Sequence, residues 1–159
     1  MSQIIIVRGR IAKRVREEAE KLGISVDEYV VELLSQGLDP KDRAVEYIEV
    51  AEELLRGARE ELRKGNIRQA AEKVWGATAL AVKAYAYWKE GKRLSSHGEL
   101  WEYKRIMSKE LGRWVSNAFY AGQSMHVCFY EGWCAREDIE ETIEQVEKMT
   151  REAASRIKK

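Results

Sequence analysis

Apolar residues recur at every third or fourth position along most of the chain, the spacing of one face of an α-helix. Asp39-Pro40 is a helix start signal, because a capping carboxylate precedes a proline at the first helical position. From there the spacing continues to Gly65, which is suited to a left-handed C-cap. The pattern predicts a helix of about 24 residues. The apolar positions on its shared face are Ala44, Tyr47, Ile48, Ala51, Leu54, Leu55, Ala58 and Leu62.

Four more helices are predicted after Gly65. One is capped by Asn66 and runs towards Gly91, and its many alanines predict a central helix with close neighbours. Because almost no linker separates it from the first helix, the two should form an antiparallel hairpin. The other three are a helix capped by Ser95-Ser96 that runs through about Lys109, one from Gly112 to Tyr130, and a last one with Ile139, Ile143, Val146, Met149, Ala153 and Ile157 on one face. The pattern predicts an all-α, up-and-down antiparallel helical bundle over residues 39–159.

The first 38 residues are predicted to form a separate N-terminal extension. Ile4–Val7 is expected to be a short strand, and 11–22 and 25–36 to be two short helices. A strand followed by two helices resembles the ribbon-helix-helix DNA-binding module, in which paired strands of two chains enter the major groove. The first 16 residues hold five basic residues and no acidic ones, with Gln3, Arg8 and Arg10 as the candidate DNA contacts. Because the predicted strand is mostly apolar, docking on the bundle or on a partner chain is the favoured interpretation.

Composition narrows the class of protein. The 159 residues carry 28 Lys and Arg against 27 Asp and Glu, so no strong overall attraction to nucleic acid is expected. A hydrophobic content of 45% excludes disorder of the kind that follows from low hydrophobicity. No stretch approaches the ~18 apolar residues of a membrane span, and no signal peptide is seen. With two Asn and five Gln among dense Lys, Arg and Glu, the chain is expected to be cytoplasmic and thermophilic.

Cys128 and Cys134 are expected to be unlinked, buried cysteines that act as small apolar residues. His126 and Cys128 lie about 200° apart on a helix and cannot converge on one metal ion. No metal and no cofactor is expected, and no phosphate-binding glycine loop or paired zinc motif is present.

Two groups of residues are candidates for a functional site. Gln123, His126 and Tyr130 share a helix face on a nearly uncharged helix, which indicates a pocket or interface, or a satisfied polar network in the core. The second group lies in residues 65–113, which carry ten Lys and Arg, five Asp and Glu, and three interleaved tryptophans. This composition is typical of a nucleotide or RNA surface, or of a core with solvated lysines. Its candidate residues are Lys92, Arg93, His97, Lys104 and Arg105.

Two sequence blocks, 70–77 (AAEKVWGA) and 126–133 (HVCFYEGW), resemble the archaeal PaREP family, and the resemblance extends over about residues 40–155. The helices of that family look like the HEPN superfamily of helical bundles, which commonly dimerise. Many HEPN proteins are ribonucleases of toxin and defence systems, whereas others are inactive nucleotide-binding or scaffold partners.

The HEPN nuclease motif pairs an arginine with a histidine across four to six residues. The matching positions hold Phe119, Tyr120 and Ala121 before His126, and Glu90, Gly91 and Lys92 before His97. No arginine occupies any of them. The resemblance therefore implies a non-catalytic module that self-associates, as a homodimer or higher homo-oligomer, and serves in protein interaction or nucleotide or RNA binding. The alternatives are a metal-independent ribonuclease with His126 as acid or base, and a DNA-binding regulator that uses residues 1–37.

Overall fold

The protein was analysed as a computed structural model that describes residues 3–159. The described residues contain seven α-helices and no strand, so the predicted all-α bundle is confirmed. The helices are α1 (Gly9–Leu22), α2 (Val26–Leu34), α3 (Pro40–Arg63), α4 (Ile67–Glu90), α5 (His97–Leu111), α6 (Trp114–Glu131) and α7 (Arg136–Ile157).

The predicted strand at Ile4–Val7 is wrong: this segment has no regular secondary structure. A strand needs a neighbouring strand for its backbone hydrogen bonds, and no other described segment of this chain is a strand. The same residues leave their side chains exposed. The β-branched residues of this segment favour an extended backbone, but the described residues of the chain offer no strand with which it could pair.

The local signals at helix ends were mostly interpreted correctly. Asp39 accepts a hydrogen bond from the Asp42 backbone nitrogen at 3.0 Å, and Pro40 opens α3. Gly65 has the left-handed conformation expected of it, with φ at +81°. Asn66 precedes α4, but its side-chain oxygen makes no capping bond; its amide nitrogen donates to Glu61 Oε2 at 2.8 Å. The predicted side-chain cap at Asn66 is therefore wrong.

Helix α4 is the centre of the bundle. Every residue from 74 to 87 is buried, and the helix packs against α3, α5, α6 and α7. Its alanines allow the neighbouring backbones to approach closely. Its packing on α6 is tight at Gly122, where an added Cβ would lie 2.7 Å from Thr78 Cγ2 and 2.8 Å from Thr78 Cβ. Glycine at position 122 thus sets how near α6 lies to α4.

A buried ion pair attaches the N-terminal helices to the bundle. Helix α1 packs on α2, and α2 also contacts α3 and α4. Lys83 of α4 donates to Glu32 Oε1 at 2.8 Å and to Glu28 Oε2 at 3.2 Å, both on α2. Arg43 of α3 holds the end of the same helix by donating to the backbone oxygens of Ser35 and Gln36. Burial raises the pKa of Glu28, and the two carboxylates outweigh burial to raise the pKa of Lys83.

None of the described helices is both long enough and apolar enough to cross a lipid bilayer.

Candidate functional site

The two histidines of the chain lie side by side although 28 residues separate them in sequence. His97 is the first residue of α5 and His126 lies in the second half of α6, and their ring centroids are 6.4 Å apart. Both rings contact the indole of Trp75 on α4, at 5.3 Å from His97 and 5.6 Å from His126. We call His97 and His126 the histidine pair. Trp75 is only 1% exposed, and its buried indole packs against both imidazoles.

The Gln123 side chain determines which ring nitrogen of a neutral His97 carries the proton. The Gln123 side-chain oxygen accepts from Trp101 Nε1 at 3.1 Å, and an indole nitrogen can only donate. The amide nitrogen of Gln123 therefore faces His97 Nε2, 3.1 Å away, and donates to it. His97 Nε2 is thus an acceptor, and a neutral ring carries its proton on Nδ1. Burial, together with the nearby His126 and Lys83, lowers the pKa of His97, which favours this neutral form.

His126 has a carboxylate beside it and an aromatic ring one turn further along α6. Its Nδ1 lies 3.6 Å from Glu72 Oε2, and neither atom has a hydrogen-bond partner. The Tyr130 ring packs edge-on against the imidazole at 5.1 Å. Gln123, His126 and Tyr130 therefore lie on one side of α6, beside α4 and α5. This group brings an imidazole, a carboxylate and a phenol together; the facing Glu72 Oε2 and His126 Nδ1 atoms are buried, whereas Tyr130 is 64% exposed.

The outer face of α6 carries no charge from Trp114 to Tyr130. Its exposed residues are Asn117, Tyr120, Ser124, Val127 and Tyr130. In a chain with 35% charged residues, a solvated helix face would normally carry several charges. Uncharged, partly aromatic exposed surface is typical of a binding surface. We call these five residues the α6 face.

Cations flank the α6 face at both ends. Arg68 of α4 donates to the backbone oxygens of Phe129 and Tyr130, at 2.9 and 2.6 Å, and is itself exposed. At the other end, the hydrogen bond that Tyr120 receives from Lys104 lowers the pKa of Tyr120, and the charge of Arg105 adds to this effect.

The structure separates the five basic-surface candidates of residues 92–105. Lys92 and Arg93 are exposed in the loop after α4, where Arg93 lies 3.8 Å from Glu32. Lys104 is 2% exposed, and its ammonium lies 4.5 Å from the Tyr120 ring centroid and 5.0 Å from that of Trp101. Its ammonium donates a hydrogen bond to the hydroxyl of the exposed Tyr120 at 3.0 Å. Arg105 is exposed.

Sequence reasoning missed Trp75, Glu72 and Arg68 as members of this region. Trp75 was interpreted as a core residue, which its burial matches, but its contact with both imidazoles depends on how α5 and α6 pack on α4. Arg68 lies one position from the predicted start of α4, and no spacing rule relates it to residues 129–130. Nothing in the local sequence pattern of α4 indicated that Glu72 lies beside His126 of α6.

The expectation of unlinked cysteines is wrong. Cys128 and Cys134 form a disulfide, with their Cα atoms 5.7 Å apart. Cys128 is in the last turn of α6, and Gly132 follows with φ at +70°, a left-handed conformation that turns the chain back over the helix end. This turn brings Cys134 to Cys128. Among residues 3–159, no group of three or more His, Cys, Asp or Glu side chains is placed to hold a metal ion.

Comparison with known proteins gives one match. The sequence model of the archaeal PaREP1/PaREP8 family matches residues 46–150, from within α3 to within α7. No curated protein and no solved structure matches the chain. The matched range contains the histidine pair, the α6 face and the disulfide.

Proposed function

The chain belongs to the archaeal PaREP1/PaREP8 family, and we propose that it acts as a non-catalytic helical module that binds single-stranded RNA, or its nucleotides, through the α6 face. The observation that carries this proposal is the uncharged, aromatic face of α6 between exposed cations. Tyr120 and Tyr130 offer rings on which bases stack, and Arg68 and Arg105 offer charges for the backbone. Proteins that bind single strands without strict sequence preference combine these two elements.

The histidine pair supports the same proposal. The imidazoles of His97 and of the partly exposed His126 lie beside the α6 face, with the Nδ1 atom of His126 buried against Glu72. Imidazole nitrogens donate to or accept from base edges. The similarity of the family to HEPN bundles, some of which are inactive nucleotide-binding proteins, agrees with this assignment. No arginine stands at the nuclease-motif spacing before either histidine.

The test is fluorescence anisotropy with a labelled single-stranded RNA of mixed sequence at several salt concentrations. We expect Tyr130→Ala to weaken binding about tenfold, because loss of one stacked base costs about 1–3 kcal/mol. Tyr29→Ala, which truncates a tyrosine on α2, is the matched control and should bind as the wild type does. Affinity should fall as salt rises, since Arg68 and Arg105 release counterions from the phosphates. Equal binding by the wild type and Tyr130→Ala would contradict the proposal.

A ribonuclease is the second candidate, and the observation in its favour is the placement of Glu72 beside His126 with His97 nearby. Two imidazoles and a carboxylate are the groups that general acid–base cleavage uses. The RNA recovered from the binding assay distinguishes the two functions. We expect intact RNA; cleavage that is lost in His126→Ala, with the fold retained, would establish the nuclease instead.

Salt-dependent binding of duplex DNA through residues 1–37 would favour the third function, a DNA-binding regulator.

A further inference from the structure

Residues 4–38 carry most of the exposed large hydrophobic side chains among the described residues. Among the described residues, sixteen large hydrophobic side chains are exposed, and eleven of them lie between residues 4 and 38. The exposure is large: Ile5 is 89% exposed, Leu34 79% and Ile11 66%. We call these eleven residues the N-terminal apolar surface. Its members are Ile4, Ile5, Ile6, Val7, Ile11, Leu22, Val26, Val30, Leu33, Leu34 and Leu38.

The bundle does not cover this surface. Helix α2 uses its Glu28, Val31 and Ser35 side to contact the bundle, and all three are buried. Val26, Val30 and Leu33, at helical spacing on another side of α2, remain exposed. Helix α1 buries a single residue, Ala19, while Ile11 and Leu22 stay in solvent. Monomeric proteins rarely expose contiguous apolar patches larger than a few hundred Å².

The charges of α1 identify the occupant. Residues 8–16 carry Arg8, Arg10, Lys13, Arg14 and Arg16 and no acidic residue. Residues 17–22 carry Glu17, Glu18 and Glu20 with one Lys21. A second α1 related by a two-fold axis perpendicular to the helix runs antiparallel to the first, so each basic part lies against an acidic part. The surface is thus complementary in charge to itself, as an isologous interface requires.

We propose that the N-terminal apolar surface binds a second copy of this chain, with the two α1 helices antiparallel across a two-fold axis. A stable interface buries about 800 Å² on each partner, an area within reach of eleven large side chains exposed to this extent. The proposal is independent of the α6 face, because the two surfaces share no residue. It locates the self-association in the N-terminal segment.

The first experiment measures the mass of the full chain by light scattering and sedimentation over a range of micromolar concentrations. We expect a dimer. Ile11→Glu should raise the dissociation constant at least about tenfold, because it removes a buried isoleucine and introduces a charge. Ile106→Glu on α5 is the matched control, since Ile106 is also exposed but lies outside the surface. Circular dichroism establishes that both variants fold.

The second experiment tests the charge pairing. One variant carries Lys13→Glu and Arg14→Glu, which places acidic side chains in the basic part of α1, and the other carries Glu17→Lys and Glu18→Lys, which places basic side chains in the acidic part. Lys13 pairs with Glu17 and Arg14 with Glu18, each at 3.9 Å, and Glu18 also lies 3.5 Å from Lys21. All three contacts lie within α1 between exposed or partly exposed side chains, so the monomer should tolerate the changes. Each variant alone should be largely monomeric, whereas an equimolar mixture should form a heterodimer. General damage to the fold cannot produce rescue by mixing.

Three outcomes would overturn the proposal. The first is a monomeric wild type at all concentrations, including one that binds duplex DNA as a monomer. The second is a dimer that Ile11→Glu leaves intact. The third is a mixture of the two charge variants that stays monomeric. RNA binding by the Tyr130 variants is read in a separate assay, so failure there does not affect this result.

Discussion

At the scale of single residues, the side-chain amide of Gln123 determines which nitrogen of His97 accepts a hydrogen bond. Because Trp101 Nε1 can only donate, the orientation of the Gln123 side chain is determined, and with it the acceptor nitrogen of His97. A neutral His97 beside His126 avoids the repulsion of two charged imidazoles. The sequence showed that Gln123 and His126 share a helix face, but His97 was assigned to a different candidate group. The structure places all three together.

His97 should titrate below the ordinary histidine value of about 6.5. Burial disfavours the imidazolium, and the nearby His126 and Lys83 add to this effect. Because the pKa of His97 is lower in the folded state than in the unfolded state, the neutral ring contributes to the free energy of unfolding above about pH 6.5. This contribution is lost as the pH falls towards the folded pKa. Proton NMR of the two imidazoles measures this, with His126→Gln to assign the signals. A His97 midpoint at or above the ordinary value would contradict the assignment.

At the scale of helices, the position of the α6 face depends on the contact between α4 and α6. The alanine-rich pattern of α4 predicted a central helix with close neighbours, and the unbroken burial of residues 74–87 confirms it. The pattern did not show that α6 packs on α4 through Gly122, where a methyl group would overlap the Thr78 side chain.

Gly122→Ala should lower the free energy of unfolding by about 1–3 kcal/mol, because the added methyl group overlaps Thr78 and forces α4 and α6 apart. Gly98→Ala in α5 is the matched control. A Cβ there meets only Ser96 Oγ, at 3.9 Å, so alanine should gain up to about 1 kcal/mol from helix propensity. Urea denaturation measures both variants. Equal effects in the two would show that Gly122 does not limit the approach of the helices.

At the scale of the whole molecule, one buried cluster joins the N-terminal helices to the bundle. Glu28, Glu32 and Lys83 come from α2 and α4, and Lys83 is 4% exposed. Patterning treats lysine and glutamate as surface residues, so sequence reasoning could not find this pair. The boundary predicted at residues 38 and 39 coincides with the chain between α2 and α3, although the two parts are linked through this cluster.

Lys83→Met should destabilise the protein by about 3 kcal/mol, because it leaves two carboxylates without their buried partner. Lys89→Met is the control: Lys89 lies six residues further along α4 and pairs with Glu110 at a partly exposed position. Its loss should cost at most about 1 kcal/mol. Thermal and urea unfolding of both variants measure the two losses of stability. Similar losses for Lys83 and Lys89 would show that the buried pair is not what holds α2.

The sequence by itself determined the helices of the bundle and most of their ends. Their periodicity, caps and glycines act within one or two turns, so they are readable from neighbouring residues. Only the tertiary structure decided that His97 meets His126, that Lys83 is buried against Glu28, that Cys128 bonds Cys134 and that Ile4–Val7 lacks a strand partner. Each depends on how separate segments pack or turn back on each other, and the hydrophobic pattern of a single helix carries no information on which residues of its neighbours it will meet.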